Sequence, residues 1–398
     1  MTARPDTFGS LAGLSPDTLP GRTDSLDGLL LADLLRAGIY RLFQRTDHLN
    51  KINVFPVPDG DTGTNMAMTL AAVLSALDRE PVADAGRVLT RAADAALDGA
   101  RGNSGAILAQ FLMGLGDGAG QRARLGLTDF VAAIQSGAAY ARDALMQPQE
   151  GTILTVLREF ADALQKNLAD SSAAADLGTL FEHSLVRVRT ALEQTRGQLK
   201  ELRAADVVDA GAQGFVDMLE GMLRFLQTGD KGETVVPVYE GDEAMAGSMS
   251  VAAGQDFRFC TECLVVARAA SVIELRSLRE SLSIIGASLV VSGSKHKARI
   301  HIHCDDPDAI FRTASMFGEV QSQKADDMRM QQSAVHHRRA QRVAVVTDSG
   351  SDLPDAEMER LGIHMVAARV HFGGRSYLDK VSMTSAEFYD ELAVNPEH

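Results

Sequence analysis

The chain is 398 residues long, enough for two or three domains, and its 39 Lys and Arg against 53 Asp and Glu leave a net charge of −14. That acidic balance lacks the basic stripe through which proteins hold nucleic acid, and no apolar run approaches the length of a membrane span. Three cysteines, an odd number in a long chain without a secretion signal, argue against a disulfide framework and for a reducing cytoplasm.

In chain order, residues 1–24 read as a flexible, mostly polar tail, with neither the charged start and apolar stretch of a signal peptide nor helical periodicity. From residue 25 to 230 the texture is helical. Leu31, Leu34, Leu35, Ile39, Leu42 and Phe43 fall on one face at three- and four-residue spacing, and similar stripes recur through to Phe225. The segment predicts an all-helical domain with no strand-like alternation, and its Leu and Phe stripes predict core.

Glycine-rich turns interrupt those helices. In NVFPVPDGDTGTNM, residues 53–66, Asp59 and Asp61 sit on a turn that runs into an apolar helix. Carboxylate oxygens suit Mg, which takes one or two protein carboxylates and the phosphates of a substrate. Gly60 and Gly63 let the backbone bend sharply. Thr62, Thr64 and Asn65 offer donors where a helix begins, a place that favours anions. A capped turn between two helices explains a lone DGD equally well. The second turn, GARGNSG at 99–105, also feeds an apolar helix: Asn103 and Ser104 are phosphate donors, Gly102 and Gly105 permit close approach, and Arg101 adds charge or is simply solvated. EGTILTV at 150–156 and VDAGAQG at 208–214 repeat the pattern.

Together and in this order, the four turns resemble the nucleotide-binding L subunit of dihydroxyacetone kinases and, more closely, the kinase domain of the bacterial fatty acid kinase ATP-binding subunit, over residues 25 to 230. The resemblance implies an all-α helical barrel whose loops hold two Mg ions and ATP at one end. It carries Asp59 and Asp61 over as catalytic Mg ligands. Thr62, Thr64, Asn65, Asn103, Ser104, Gly105, Thr152, Asp209 and Gly211 carry over as the nucleotide pocket. The dihydroxyacetone kinases have a further aspartate ahead of the DGD; here that region offers Asn53, the candidate third Mg ligand.

Residues 231–255, rich in Gly, acidic and small residues, read as a linker. Residues 256–330 then alternate: FRFCTECLVVAR a strand, VIELRSLRESLSIIG a helix, ASLVVSGS and KARIHIHCD strands, PDAIFRTASMFGEV a helix and VQSQKAD a closing strand. That order predicts a small α+β domain of the ferredoxin-like βαββαβ kind. Alternate strand residues share a face, so Cys260 and Glu262 oppose Cys263, while His301 and His303 oppose Cys304. If the two strands are neighbours, Cys260, His301 and His303 converge as a three-ligand Zn site, with a fourth position for water, Glu262 or a partner's group. A C-x-x-C clamp with the histidines, or buried thiols without metal, are the competing readings. The CTE and HIH segments resemble those of the middle domain of bacterial fatty acid kinases, which implies a Zn site of Cys260, His301 and His303 and leaves Cys263 and Cys304 to packing.

After a linker at 331–341, residues 342–398 read as strand, Ser/Asp turn, helix and strand, the opening of an α/β domain. TDSGSDLP, GGRSYLDK and TSAEFYDEL resemble the start of the DegV fatty-acid-binding family, whose complete domain is several times longer. The implied activity is phosphoryl transfer from ATP to the carboxylate of a fatty acid held by a separate DegV-type partner. A small-polyol kinase of the dihydroxyacetone type and a catalytically silent nucleotide-binding scaffold are the alternatives. A cytoplasmic location and a homodimer belong to the same expectation.

Overall fold

The computed structural model describes residues 19–232 except 57, 59, 146 and 171–175, residues 257–327 except 270, and parts of 345–394. These fall into two compact units, one reaching to residue 327 and the other starting at 345. Among the described residues, no helix is long and apolar enough to cross a membrane.

The first unit opens with α1 (Gly28–Phe43), α2 (Thr46–Lys51), α3 (Thr62–Arg79), α4 (Ala85–Gly99), α5 (Gly102–Ala119), α6 (Leu127–Asp143), α7 (Ile153–Asp170), α8 (Leu177–Gln198), α9 (Lys200–Ala205) and α10 (Ala210–Thr228). Aspartates start four of them: the carboxylates of Asp27, Asp84, Asp176 and Asp209 each accept a hydrogen bond from the N–H three residues on. The long helices pack in a cycle, α3 on α4, α4 on α5, and so on through α6, α7, α8 and α10 back to α1, which in turn meets α3 and α4. Leu31, Leu34, Leu35, Ile39, Leu42 and Phe43, the stripe legible in the sequence, are all buried.

Two details depart from the sequence reading. β1 (Ser25–Asp27) and β2 (Arg124–Gly126) pair antiparallel inside a segment expected to be wholly helical; three-residue strands are too short to show alternation. Of the tail expected over 1–24, the described residues from 19 are anchored: Gly21 N–H donates to Leu226 O, Gly178 N–H donates to Gly21 O, and Arg22 pairs with Asp176 at 2.9 Å.

The small domain follows as β3 (Phe259–Val266), α11 (Leu275–Leu282), β4 (Ala287–Gly293), β5 (Lys297–Cys304), α12 (Pro307–Ser315) and β6 (Glu319–Asp327). Its strands lie in the order β4-β5-β3-β6, every neighbouring pair antiparallel. One sheet face carries Cys263, Val265, Leu289, Val291, Ile300, Ile302 and Cys304 into a core shared with Leu278, Leu282, Ile310 and Ala314 of the two helices. The other face docks on the helical domain. Val290 packs on Ala106 and Ala144, Ser292 Oγ donates to Ala106 O at 3.0 Å, and Gly293 N–H donates to Gln110 Oε1 at 3.2 Å. Lys297 pairs with Asp98 beside them.

In the second unit β7 (Val345–Asp348) pairs parallel with β8 (Ile363–Val366), β9 (Arg369–Phe372) pairs antiparallel with β10 (Arg375–Leu378), and α13 spans Ser385–Val394. The polar turn after β7 is tied locally: Asp348 Oδ1 accepts from Gly350 N–H at 3.0 Å, and Ser349 Oγ accepts from Ala368 N–H at 2.9 Å. Asp352, residues 233–255 of the first expected linker and all of the second, 331–341, lie outside the described residues.

The close crossing of α5 and α6 depends on glycine. A Cβ on Gly114 would lie 2.6 Å from Gly137 Cα, and one on Gly137 would lie 2.8 Å from Phe111 O. Backbone cannot give way as a flexible side chain can, so Gly114→Ala forces the two helices apart. The expected cost is about 1 to 3 kcal/mol, as for other overpacked cores. A urea melt of the full chain showing an unchanged midpoint would disprove the contact.

Candidate functional site

The turns singled out in the sequence lead into α3, α5, α7 and α10, and these four helices begin at one place. Gly60, Gly102 and Gly151 hold the three turns ahead of α3, α5 and α7 with φ of 71°, 56° and 87°, a region that only glycine enters without penalty. Thr62, Asn103, Ser104, Thr152, Ile153, Asp209 and Gly211 line a single cavity of about 560 Å³. Helix N-termini present N–H groups without intrahelical partners and a partial positive charge. Four of them around one cavity make a place for a strongly anionic ligand.

The remaining predicted residues divide into three groups. Asp61 is the N-cap residue of α3, and its carboxylate makes no capping hydrogen bond. Asn53 is buried, 6% exposed, and Asp59 lies outside the described residues. Thr64, Asn65 and Gly105 are absent from the cavity wall and pack behind it. Thr64 is clamped by Asn50, which accepts from its N–H at 3.1 Å and donates to its Oγ1 at 2.9 Å. Asn65 Nδ2 fills the space where Gly102 would carry a Cβ, and a Cβ on Gly105 would lie 2.3 Å from Thr69 Oγ1. The sequence reading assigned these three to the ligand; in the structure they also pack against the turns that face the cavity.

Part of the wall went unforeseen. Phe55 and Pro56 precede the DGD turn, and Gln147 and Gln149 precede α7. Opposite them stand Ser283 and the stretch from Gly286 to Val290, all from the small domain. The cavity is therefore composite. Asn103 Oδ1 is buried on it with no hydrogen-bond partner, the state expected of a group awaiting a ligand.

Beside this wall the small domain gathers the Cys and His residues. β3 and β5 are neighbours in a register that sets Cys260 opposite His303 and Glu262 opposite His301. The ligand atoms of Cys260, His301 and His303 all lie within 4.8 Å of one another. Burial, reinforced by the charge of His301, pushes His303 down to about 3, so its imidazole is neutral at physiological pH. Cys263 and Cys304 face the core instead. Burial pushes the Cys263 thiol up to about 12, which leaves it inert.

Glu262 does not stand in a fourth ligand position. Its carboxylate is 6% exposed and fully engaged: Oε1 lies 3.0 Å from His301 Nδ1 and accepts from Gly102 N–H at 3.2 Å, while Oε2 lies 3.1 Å from Arg299 Nη2. Arg101 Nη1 approaches Oε2 at 3.7 Å. Burial opposes ionisation of this carboxyl, but the hydrogen bond and charge of His301 and the charges of Arg299 and Arg101 outweigh it and hold the group well below the usual carboxylate range. No local pattern could have revealed this, since Glu262 and Gly102 are 160 residues apart.

Comparison with known proteins agrees with this layout. Residues 56–224 match the DAK2 domain, 256–335 match the FakA-like middle domain of fatty acid kinases, and 342–398 match the DegV family of uncharacterised proteins. Protein YloV of Bacillus subtilis (strain 168) is 33% identical over 322 residues, which cover 78% of this chain and 57% of YloV. An uncharacterized protein of Staphylococcus aureus (strain USA300) is 31% identical over 316 residues, 78% of this chain and 57% of its own length. The matched stretch thus spans little more than half of those relatives. Among solved structures, the native form of the dihydroxyacetone kinase of C. freundii aligns with a TM-score of 0.39 at 16% identity, covering 56% of this chain and 38% of that one.

Asp209 makes the electrostatics of the cavity testable. Its carboxylate caps α10 by accepting from Ala212 N–H at 2.8 Å, yet burial raises its pKa from 3.8 to about 6. The folded state therefore holds this proton more tightly than the unfolded chain does. Stability linked to it is present below pH 3.8 and is lost as pH rises to about 6. Asp209→Asn keeps a capping oxygen and removes the buried charge. In chelator without nucleotide it raises unfolding stability at neutral pH by up to about 3 kcal/mol, and flattens the dependence between about pH 4 and pH 6. Denaturant melts across that range check both; a variant that tracks wild type refutes the buried-charge account.

Proposed function

We propose, for a chain that carries a DAK2 domain, a FakA-like middle domain and a DegV-family segment, that it transfers the γ-phosphoryl group of ATP to the carboxylate of a fatty acid. The acceptor is presented by a DegV-type binding protein, and the products are an acyl phosphate and ADP. The observation that carries this reading is the cavity itself, where Thr62, Asn103, Ser104, Thr152, Asp209 and Gly211 meet at four helix N-termini. Its volume of about 560 Å³ suits a ligand the size of a nucleotide. The cyclic helix packing supports a barrel for the first domain, and the strand order of the small one supports a ferredoxin-like fold.

The residue types suit the metals proposed. Asp59 and Asp61 on a glycine turn, with Asn53 as a third group, would hold Mg, which neutralises phosphate charge when bound. Cys260, His301 and His303 would hold Zn, His301 through Nε2 if Glu262 keeps its hydrogen bond to Nδ1 as an outer-shell carboxylate. The chain's own part is positioning. Asn103 and Ser104 orient the phosphates from the start of α5, Thr152 and Asp209 fix the turns at α7 and α10, and the wall from Gly286 to Val290 excludes water. The acceptor needs no general base, because a carboxyl of pKa about 4 to 5 is already ionised at neutral pH.

Full-length chain, MgATP, a fatty acid and a DegV-type protein, with acyl phosphate trapped as the hydroxamate, test the reaction. Asp61→Ala should cut product formation on the order of 100-fold or more with little change in melting temperature, since the side chain supports no cap. Phosphorylation of dihydroxyacetone in place of the fatty acid would make the chain a polyol kinase. Nucleotide binding without turnover would make it a scaffold.

The metal reading has its own check in elemental analysis. Purified protein should contain about one Zn per chain; Cys260→Ser, His301→Ala and His303→Ala should each lose it, whereas Cys263→Ser and Cys304→Ser should keep it. The opposite pattern would restore the C-x-x-C arrangement.

A further inference from the structure

Glu262 occupies a junction that neither site explains alone. It belongs to β3 of the small domain, yet one oxygen, Oε1, faces both His301 Nδ1 at 3.0 Å and the N–H of Gly102, the first residue of α5, at 3.2 Å. The residue after Gly102 is Asn103, whose side chain lines the nucleotide cavity. The turn is backed from the other side by Asn65 Nδ2, which would lie 2.4 Å from a Cβ at position 102. Arg299 at 3.1 Å and Arg101 at 3.7 Å fix the second oxygen. The Glu262 side chain is buried among these partners.

From this geometry we infer that Glu262 is a positioning residue that couples the Cys260–His301–His303 metal site to the nucleotide cavity, so that each ligand strengthens the binding of the other. The inference rests on the metal and nucleotide reading above. Its physical content is a shared carboxylate. A metal on His301 fixes the imidazole, the imidazole fixes Oε1, and Oε1 holds the Gly102 N–H that sets the entrance of α5. Without metal that tie on the imidazole is absent, and Oε1 is held by the imidazole and the Gly102 N–H alone. A ligand that favours one arrangement of the junction favours it for both sites, and such coupling is reciprocal.

The experiment uses the full chain and MgADP as probe, with zinc content measured on every sample. Zinc-loaded wild type should bind MgADP at least about fivefold more tightly than chelator-stripped wild type, the lower end of usual coupling strengths. Glu262→Gln should bind MgADP with the same affinity with and without zinc. Lys297→Ala, which cuts a different contact between the same two domains, should keep the wild-type difference and so separates the junction from domain docking in general. Cobalt-loaded protein gives a second readout: MgADP should shift the visible bands of the wild type and leave those of Glu262→Gln unmoved. Zinc bound with no effect on MgADP affinity, or a zinc effect that survives in Glu262→Gln, overturns the coupling while leaving both sites standing. If Glu262→Gln does not fold, a wild-type cobalt spectrum indifferent to MgADP overturns it just as well. Wild type without zinc, or zinc-loaded wild type that ignores MgADP, overturns the metal or the nucleotide reading, and this inference with it.

Discussion

Four helix N-termini aimed at one cavity are the constraint on which the rest of this unit depends. Partial positive charges of like sign repel, and each terminus brings N–H groups that the helix itself cannot satisfy. Such an arrangement holds only if the helix bodies are fixed elsewhere. The cycle from α3 round to α1 does this with apolar stripes, and the contact of Gly114 with Gly137 brings α5 and α6 close enough to complete it. The cavity is then free to be polar. Positive φ at Gly60, Gly102 and Gly151, a carboxyl at Asp209 that burial makes a weak acid, and an unpartnered amide oxygen at Asn103 are tolerated because the core beneath is not.

The small domain solves a different problem with one sheet. Alternation along β3 and β5 sends Cys263, Ile300, Ile302 and Cys304 to a helix-covered core and leaves Cys260, Glu262, Arg299, His301 and His303 on the docking face. Polar and ionisable groups on a buried face cost desolvation unless each finds a partner. Here Arg299 and His301 find Glu262 within the sheet, and the first domain adds the Gly102 N–H and the Arg101 guanidinium to Glu262 and the Ala106 carbonyl to Ser292. The docking face and the face that carries the Cys and His cluster are therefore one.

How far the sequence could be read follows from range. Periodicity is local, so the stripe from Leu31 to Phe43 and the strands around Cys260 and His301 were legible with ends displaced by a few residues. The faces of those strands were legible too, because alternation is a property of a strand alone. Glycine turns ahead of apolar helices marked Thr62, Asn103, Thr152 and Asp209, and all four line the cavity. The same signal also marked Thr64, Asn65 and Gly105, since a polar or small residue at a helix start looks alike whether it faces a ligand or the next helix. Thr64 meets Asn50, and Gly105 meets Thr69, contacts that no spacing encodes. The wall from Gly286 to Val290 was invisible for the opposite reason. It is an ordinary apolar strand end whose role depends entirely on docking.

Glu262 shows what that docking is for. A buried carboxylate between two arginines and a histidine adds little net stability, since the desolvation of such groups offsets most of their attraction, and an apolar cluster of similar volume often does as well. Removing one member, by contrast, strands the others and costs several kcal/mol. A cluster of this kind contributes less to how firmly the domains hold together than to the one arrangement in which they do so. Apolar contacts such as Val290 on Ala106 tolerate small slides of the sheet over α5, whereas a carboxylate that must meet Gly102 N–H, His301 and Arg299 together tolerates very little. That arrangement places the Cys and His side chains beside the start of α5, which carries Asn103, so the same oxygen atoms touch both the seam between the domains and the edge of the cavity.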